Sequence, residues 1–115
     1  MNGEITKIES LNNMIDRIYV DHHMTLDLHK ELLECKVGEK LKVNISDHKI
    51  QSPTYLAYGQ IYYMDKDTMC VSCGGLLFKF PIFNSQLGKH VFINVSKMAK
   101  RGRPSNNTSN KKQIT

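Results

Sequence analysis

Cys70-Val-Ser-Cys73 has the two-residue spacing of zinc and redox sites. A structural zinc takes four ligands, and the one further cysteine is Cys35; His48 and His90 could complete a set, but neither sits in a paired motif. In a regular strand an offset of three also sends Cys70 and Cys73 to opposite faces, an objection that a bulge at Gly74 would remove. The expected role is structural, with metal or redox chemistry as the sharper alternative. Asp21-His22-His23 could supply a metal ligand or an acid–base pair, though neighbouring residues in a turn more often face solvent. Asp65 and Asp67 read as turn residues before they read as paired catalytic carboxylates. No Ser/His/Asp or Cys/His nucleophile set, Walker loop or dinucleotide-binding glycine pattern is recognisable, since Gly74-Gly75 lacks the spacing. An enzyme reading is therefore weak on these residues.

Two other groups of residues point toward binding. Tyr55, Tyr58, Tyr62 and Tyr63 with Phe78, Phe80 and Phe92 could stack single-stranded nucleic acid. No Lys or Arg interleaves them between Thr54 and Met64, where phosphate would need neutralising, so core or protein-interface roles are favoured. Lys100-Arg101-Gly102-Arg103-Pro104 contains Arg-Gly-Arg-Pro, the core word of the AT-hook, in which an extended Arg-Gly-Arg fits a narrow A·T minor groove. The bland alternative is a solvated or nuclear-targeting basic segment.

The elements that must carry these residues read as strands. Met14–Val20 is rich in β-branched and aromatic residues. Met24-Thr-Leu-Asp-Leu-His29 alternates, with Met24, Leu26 and Leu28 on one face, and Leu41-Lys-Val-Asn-Ile45 alternates again. These two runs are expected to form an antiparallel hairpin or corner, with Leu32-Leu33 continuing the first of them toward Cys35 and Val37-Gly-Glu39 as the turn. The first dozen residues space Ile5, Ile8 and Leu11 by three, which leaves strand and helical turn both open. Thr54–Met64, a turn at Asp65–Thr68, Met69–Ser72, a break at Gly74-Gly75 and Leu76–Phe80 predict a β-meander, with His90–Val95 as the last strand. Gly59 within a strand signals a bulge or a close backbone approach, and Gly74-Gly75 signals the same more strongly. Short strands at regular spacing predict an all-β fold, a barrel or sandwich, in one domain.

Charge divides the chain in two. Residues 1–96 hold 10 Lys and Arg against 11 Asp and Glu, whereas residues 97–115 hold six basic residues and no acid. The body, residues 1–98, is therefore close to neutral, and residues 99–115 are expected to be a disordered basic tail, with nucleic acid or another acidic partner as target. No apolar run approaches the ~20 residues of a membrane-spanning helix. Three cysteines and a polar N-terminus without a secretory apolar core predict a reducing compartment.

Tyr58-Gly-Gln-Ile-Tyr62 and Ser72-Cys-Gly-Gly-Leu-Leu77 resemble two words of the eighth, shared small subunit of the eukaryotic nuclear RNA polymerases. Met24-Thr-Leu-Asp-Leu28 with Val37-Gly-Glu-Lys-Leu-Lys-Val43, and Val91-Phe-Ile-Asn-Val-Ser-Lys97, are similar to that family's first long strand and closing strand. The similarity runs over roughly Ile15 to Lys97. The segment between Ile45 and Tyr55 is shorter than the family's long acidic loop, Cys73 stands where an aromatic is typical, and the tail from Ala99 is extra. The resemblance implies an antiparallel barrel related to the oligonucleotide-binding fold. It implies a nuclear, noncatalytic subunit common to RNA polymerases I, II and III that docks on the largest subunit and uses no cofactor, membrane or small-molecule substrate. The matching words nominate Tyr58, Gly59, Gly74, Gly75, Leu76 and Leu77 as partner contacts, some of which could instead be core. The competing expectation is an independent nucleic-acid-binding barrel whose tail contacts A·T-rich DNA.

Overall fold

Alternation of apolar and polar residues makes strand of most of the described residues. The computed structural model describes residues 1–51, 53–81 and 87–98. Among them are eight strands and no helix: β1 (Asn2–Ser10), β2 (Ile15–Val20), β3 (Met24–His29), β4 (Lys40–Ser46), β5 (Tyr55–Met64), β6 (Met69–Cys73), β7 (Leu76–Phe80) and β8 (His90–Lys97). All neighbours are antiparallel, in the order β1-β2-β3-β7-β6-β5-β8-β4, and β4 pairs back onto β1. Two three-strand meanders, β1-β2-β3 and β5-β6-β7, are thus joined edge to edge through β3 and β7, and β8 and β4 complete the circuit.

The inward faces follow the alternation read from the sequence. Met24, Leu26 and Leu28 of β3, Leu41 and Val43 of β4, and Val91, Ile93 and Val95 of β8 are buried together with Ile5, Ile18, Val20, Met69, Val71, Phe78 and Phe80. Each such side chain contributes about 1.5–3 kcal/mol by leaving water.

Two bulges explain what simple periodicity leaves open. β1 is a strand throughout, and the register shifts between Ile5 and Lys7. That shift lets Ile5 and Ile8, three apart, both pack on the core, so the apparent helical spacing is a bulged strand. Asn12 then closes the β1–β2 turn, its side-chain oxygen accepting from the amides of Met14 at 2.8 Å and Ile15 at 2.9 Å. The second shift lies between Ile61 and Tyr63 of β5, so Tyr62 and Tyr63 both face solvent and Met64 turns inward.

Other expectations are corrected. β3 and β4 form no hairpin: β3 pairs with β2 and β7, and β4 with β1 and β8. Adjacency in sequence suggested a partnership that long-range pairing overrode. Leu32 does not continue β3 but lies in a turn, 70% exposed. Asp27 and Asn94, on the polar side of their alternations, are nonetheless buried.

Candidate protein-docking surface

The Gly74-Gly75 break is a two-residue hairpin turn with φ of +61° and +95°, conformations that side chains rarely adopt. It lets β6 reverse into β7, so Ser72 lies opposite Leu77 and Cys73 opposite Leu76. On the other side of β6, Gln60 of β5 pairs with Ser72. The two sequence words Tyr58–Tyr62 and Ser72–Leu77 are therefore neighbours in one sheet. Within them the residues divide by face. Tyr58 is 54% and Leu77 40% exposed, Leu76 packs on the core, and Gly59 is buried. A Cβ on Gly59 would run into the Ser72 carbonyl and the Cys73 sulfur. Gly59 thus allows β5 and β6 to approach closely and is no surface contact, whereas a Cβ at Gly74 or Gly75 would meet open space.

Around Tyr58 the outward surface is aromatic. Its ring stacks at 5.7 Å on His90 and lies 4.5 Å from the Phe92 ring opposite it on β8. Leu56, Tyr62 and Tyr63 are also exposed on β5. The sequence-level aromatic platform splits: Phe78 and Phe80 are core, and Tyr55 is buried with its hydroxyl oxygen accepting from the His29 amide at 3.0 Å. Burial pushes the Tyr55 phenol above its ordinary value.

Asp27 is the functional-looking residue that the alternation misses. Only 2% exposed, it accepts from Arg17 Nε at 2.7 Å and Nη2 at 3.1 Å, and from the Leu77 amide at 2.9 Å. The β3–β7 ladder comprises Thr25 opposite Lys79 and Leu26 opposite Phe78, so the carboxylate satisfies a donor where that ladder ends. The hydrogen bond to Asp27 raises the Arg17 pKa and secures its charge. A cross-strand Arg–Asp pairing of β2 and β3 was the available signal, since Arg17 lies opposite Asp27.

The remaining chemical candidates disperse. In β6, Met69, Val71 and Cys73 face the core, while Cys70 lies opposite Tyr63 and Lys79. The two cysteines therefore point to opposite faces, as the odd offset requires. All three cysteines are free, and burial pushes the Cys35 and Cys73 thiols up to about 11. Among the described residues no group of three or more His, Cys, Asp or Glu side chains converges to hold a metal ion. Asp65 caps the β5–β6 turn, accepting from the Asp67 and Thr68 amides at 2.8 Å each and from the Tyr63 hydroxyl at 2.7 Å, which holds it below the usual carboxylate range. His22 and His23 lie in the β2–β3 turn, beside an open depression of about 380 Å³ that Lys7, Tyr19 and Lys79 also line. Lys100, Arg101, Gly102, Arg103 and Pro104, and the expected tail as a whole, lie outside the described residues.

No family model matches the chain, and no curated protein matches it. The surface itself carries the functional argument.

Proposed function

We propose that this chain is a noncatalytic, architectural subunit shared by the nuclear RNA polymerases I, II and III, docked on their largest subunit. On this reading the closed circuit of strands is a barrel related to the oligonucleotide-binding fold. The observation that supports it is the adjacency of the two sequence words. Tyr58-Gly-Gln-Ile-Tyr62 and Ser72-Cys-Gly-Gly-Leu-Leu77 are brought side by side by the β5–β6 and β6–β7 hairpins, with Tyr58 and Leu77 both exposed. Exposed tyrosine and leucine next to an exposed glycine turn suit a protein interface, where Tyr is enriched and backbone approach is useful.

The test is affinity purification of the tagged full-length protein from its native cells, with mass spectrometry of what accompanies it. The expected result is recovery of the largest subunits of all three polymerases. Recovery of DNA without them would overturn the subunit reading and favour an independent nucleic-acid-binding barrel working through its basic tail.

A further inference from the structure

The turn between β2 and β3 is bracketed onto the bulge of β1. The Asp21 amide donates to the Glu4 carbonyl at 2.8 Å, the Glu4 amide donates to Asp21 Oδ1 at 3.1 Å, and the Thr6 hydroxyl donates to the Asp21 carbonyl at 3.1 Å. These bonds hold Asp21 at a φ of +51°, a conformation that few residues other than glycine adopt. The same bulge leaves both Thr6 and Lys7 exposed. Lys7 lies opposite Tyr19, Tyr19 opposite Thr25, and Thr25 opposite Lys79, so the four form one outward row across β1, β2, β3 and β7. The depression of about 380 Å³ at the β2–β3 turn is lined by all four, and by His22 and His23 of the bracketed turn. Its charge is one-sided. Lys7, Lys79, His22 and His23 bring nitrogen donors to it, against one acid, Asp21, whose carboxylate is already engaged by the Glu4 amide. The ion pairs among the described residues join Arg17 to Asp27, Lys30 to Asp16, His48 to Asp47 and Lys97 to Glu39, and so involve none of these four donors. Lys7 Nζ stands 5.2 Å from the centre of the Tyr19 ring, reaching inward along the row.

We propose that this depression binds the oligophosphate group of a small molecule, two or three linked phosphates lying along the row from Lys7 to Lys79. The two lysines stand on strands three spacings apart, roughly 14 Å between backbones, so their ammonium groups approach a ligand from opposite ends. A chain of phosphates meets both, whereas a single phosphate meets one. The Thr25 hydroxyl lies between them as a further donor, and the His22 and His23 rings, edge to face with centroids 6.4 Å apart, present different edges to the ligand. The volume is that of a small-molecule site. Because turn and bulge are already fastened together, the ligand meets donors whose backbone is in place, and less ordering is needed on binding. An extended nucleic-acid strand fits less well. The next outward row along the same strands is Glu9, Arg17 and Asp27, of mixed sign, so the cations do not continue as a track for a phosphate backbone. The site lies on β1, β2, β3 and β7, away from Tyr58 on β5, and does not rest on the subunit reading.

The experiment is a titration of the isotope-labelled full-length protein with inorganic tripolyphosphate, followed amide by amide by NMR. Saturable shifts are expected at Lys7, Tyr19, His22, His23, Thr25 and Lys79, with inorganic phosphate binding about tenfold more weakly or worse. Lys7→Ala and Lys79→Ala remove exposed side chains, leave the fold intact, and should each weaken tripolyphosphate by about fivefold to tenfold. Lys42→Ala, on the exposed side of β4, should leave its affinity unchanged. Equal weakening by all three variants would mean general charge attraction and overturns the site. Shifts that never saturate, or that are confined to residues 99–115, overturn it as well. A single-stranded oligonucleotide that moves the same amides and binds more tightly than tripolyphosphate overturns the proposed ligand in favour of nucleic acid. Every readout is made on the purified protein alone, so failure here leaves the subunit reading standing, and failure to recover polymerase subunits leaves this site standing.

Discussion

Asp27 is the side chain whose loss should be felt most. Asp27→Ala removes three hydrogen bonds, leaving the Leu77 amide without its acceptor and the Arg17 guanidinium, whose side chain is 30% exposed, without its partner. The loss should cost about 1–3 kcal/mol, and the denaturant midpoint should fall accordingly; a change below about 1 kcal/mol would mean that water replaces the carboxylate. Gly59→Ala should destabilise by about 1–3 kcal/mol, because the atoms in its way include the Ser72 backbone carbonyl, which cannot rotate aside. Cys35 and Cys73, with thiols at about 11 against an ordinary 9.0, are nearly all protonated at pH 7.5. Iodoacetamide should therefore modify them slowly in the folded protein, with a rate that rises about tenfold per pH unit until the thiols titrate. The stability consequence has a definite sign. Between about pH 9 and 11 the unfolded chain loses thiol protons that the folded chain keeps, so stability falls as pH rises through that window. Stability that is flat or rising from pH 9 to 11 in a Cys35/Cys73-dependent comparison would contradict the burial of these sulfurs.

At the scale of elements, the β6–β7 hairpin gives the cleanest prediction. Its φ values of +61° and +95° match a type I′ turn, for which Asn-Gly is the preferred pair. Gly74→Asn should be neutral or stabilising by up to about 1 kcal/mol, and Gly75→Val should lower the melting temperature because a β-branched residue is strained at positive φ. This turn, like the strands β3, β4 and β8, was legible in the sequence because glycine pairs and period-two alternation are local signals. β1 was obscured by its bulge, which moves Ile8 onto the face of Ile5 and imitates a spacing of three. The non-pairing of β3 with β4 was not legible, since the partners of β4 come from the two ends of the fold and nothing near Leu41 names them. The burial of Asp27 was hidden for a related reason: its place in the alternation is the outward one, and only the pairing with β2 and β7 reveals what surrounds it. Of the candidate contacts, Tyr58 and Leu77 are nominated by sequence words, while the Tyr58–His90 stack depends on β8 lying beside β5.

On the whole molecule, folding and docking should separate. Tyr58→Ala combined with Leu77→Ala removes exposed side chains, so stability should change by only about 1 kcal/mol per site or less. Partner recovery should nevertheless collapse, because truncating an interface tyrosine commonly costs more than about 1 kcal/mol of binding. Equal losses of both would instead assign these side chains to the fold.

The position of β8 between β4 and β5 has a bearing on how the chain is made. A ribosome delivers β4 and β5 well before the strand that must lie between them, so both wait with open flanks until His90–Lys97 has emerged. The two meanders can form during synthesis, but the circuit closes only after nearly the whole body is out. Folding should accordingly be limited by this late arrival, on the slow side of the range for small domains, where topologies dominated by distant pairings take about milliseconds to seconds.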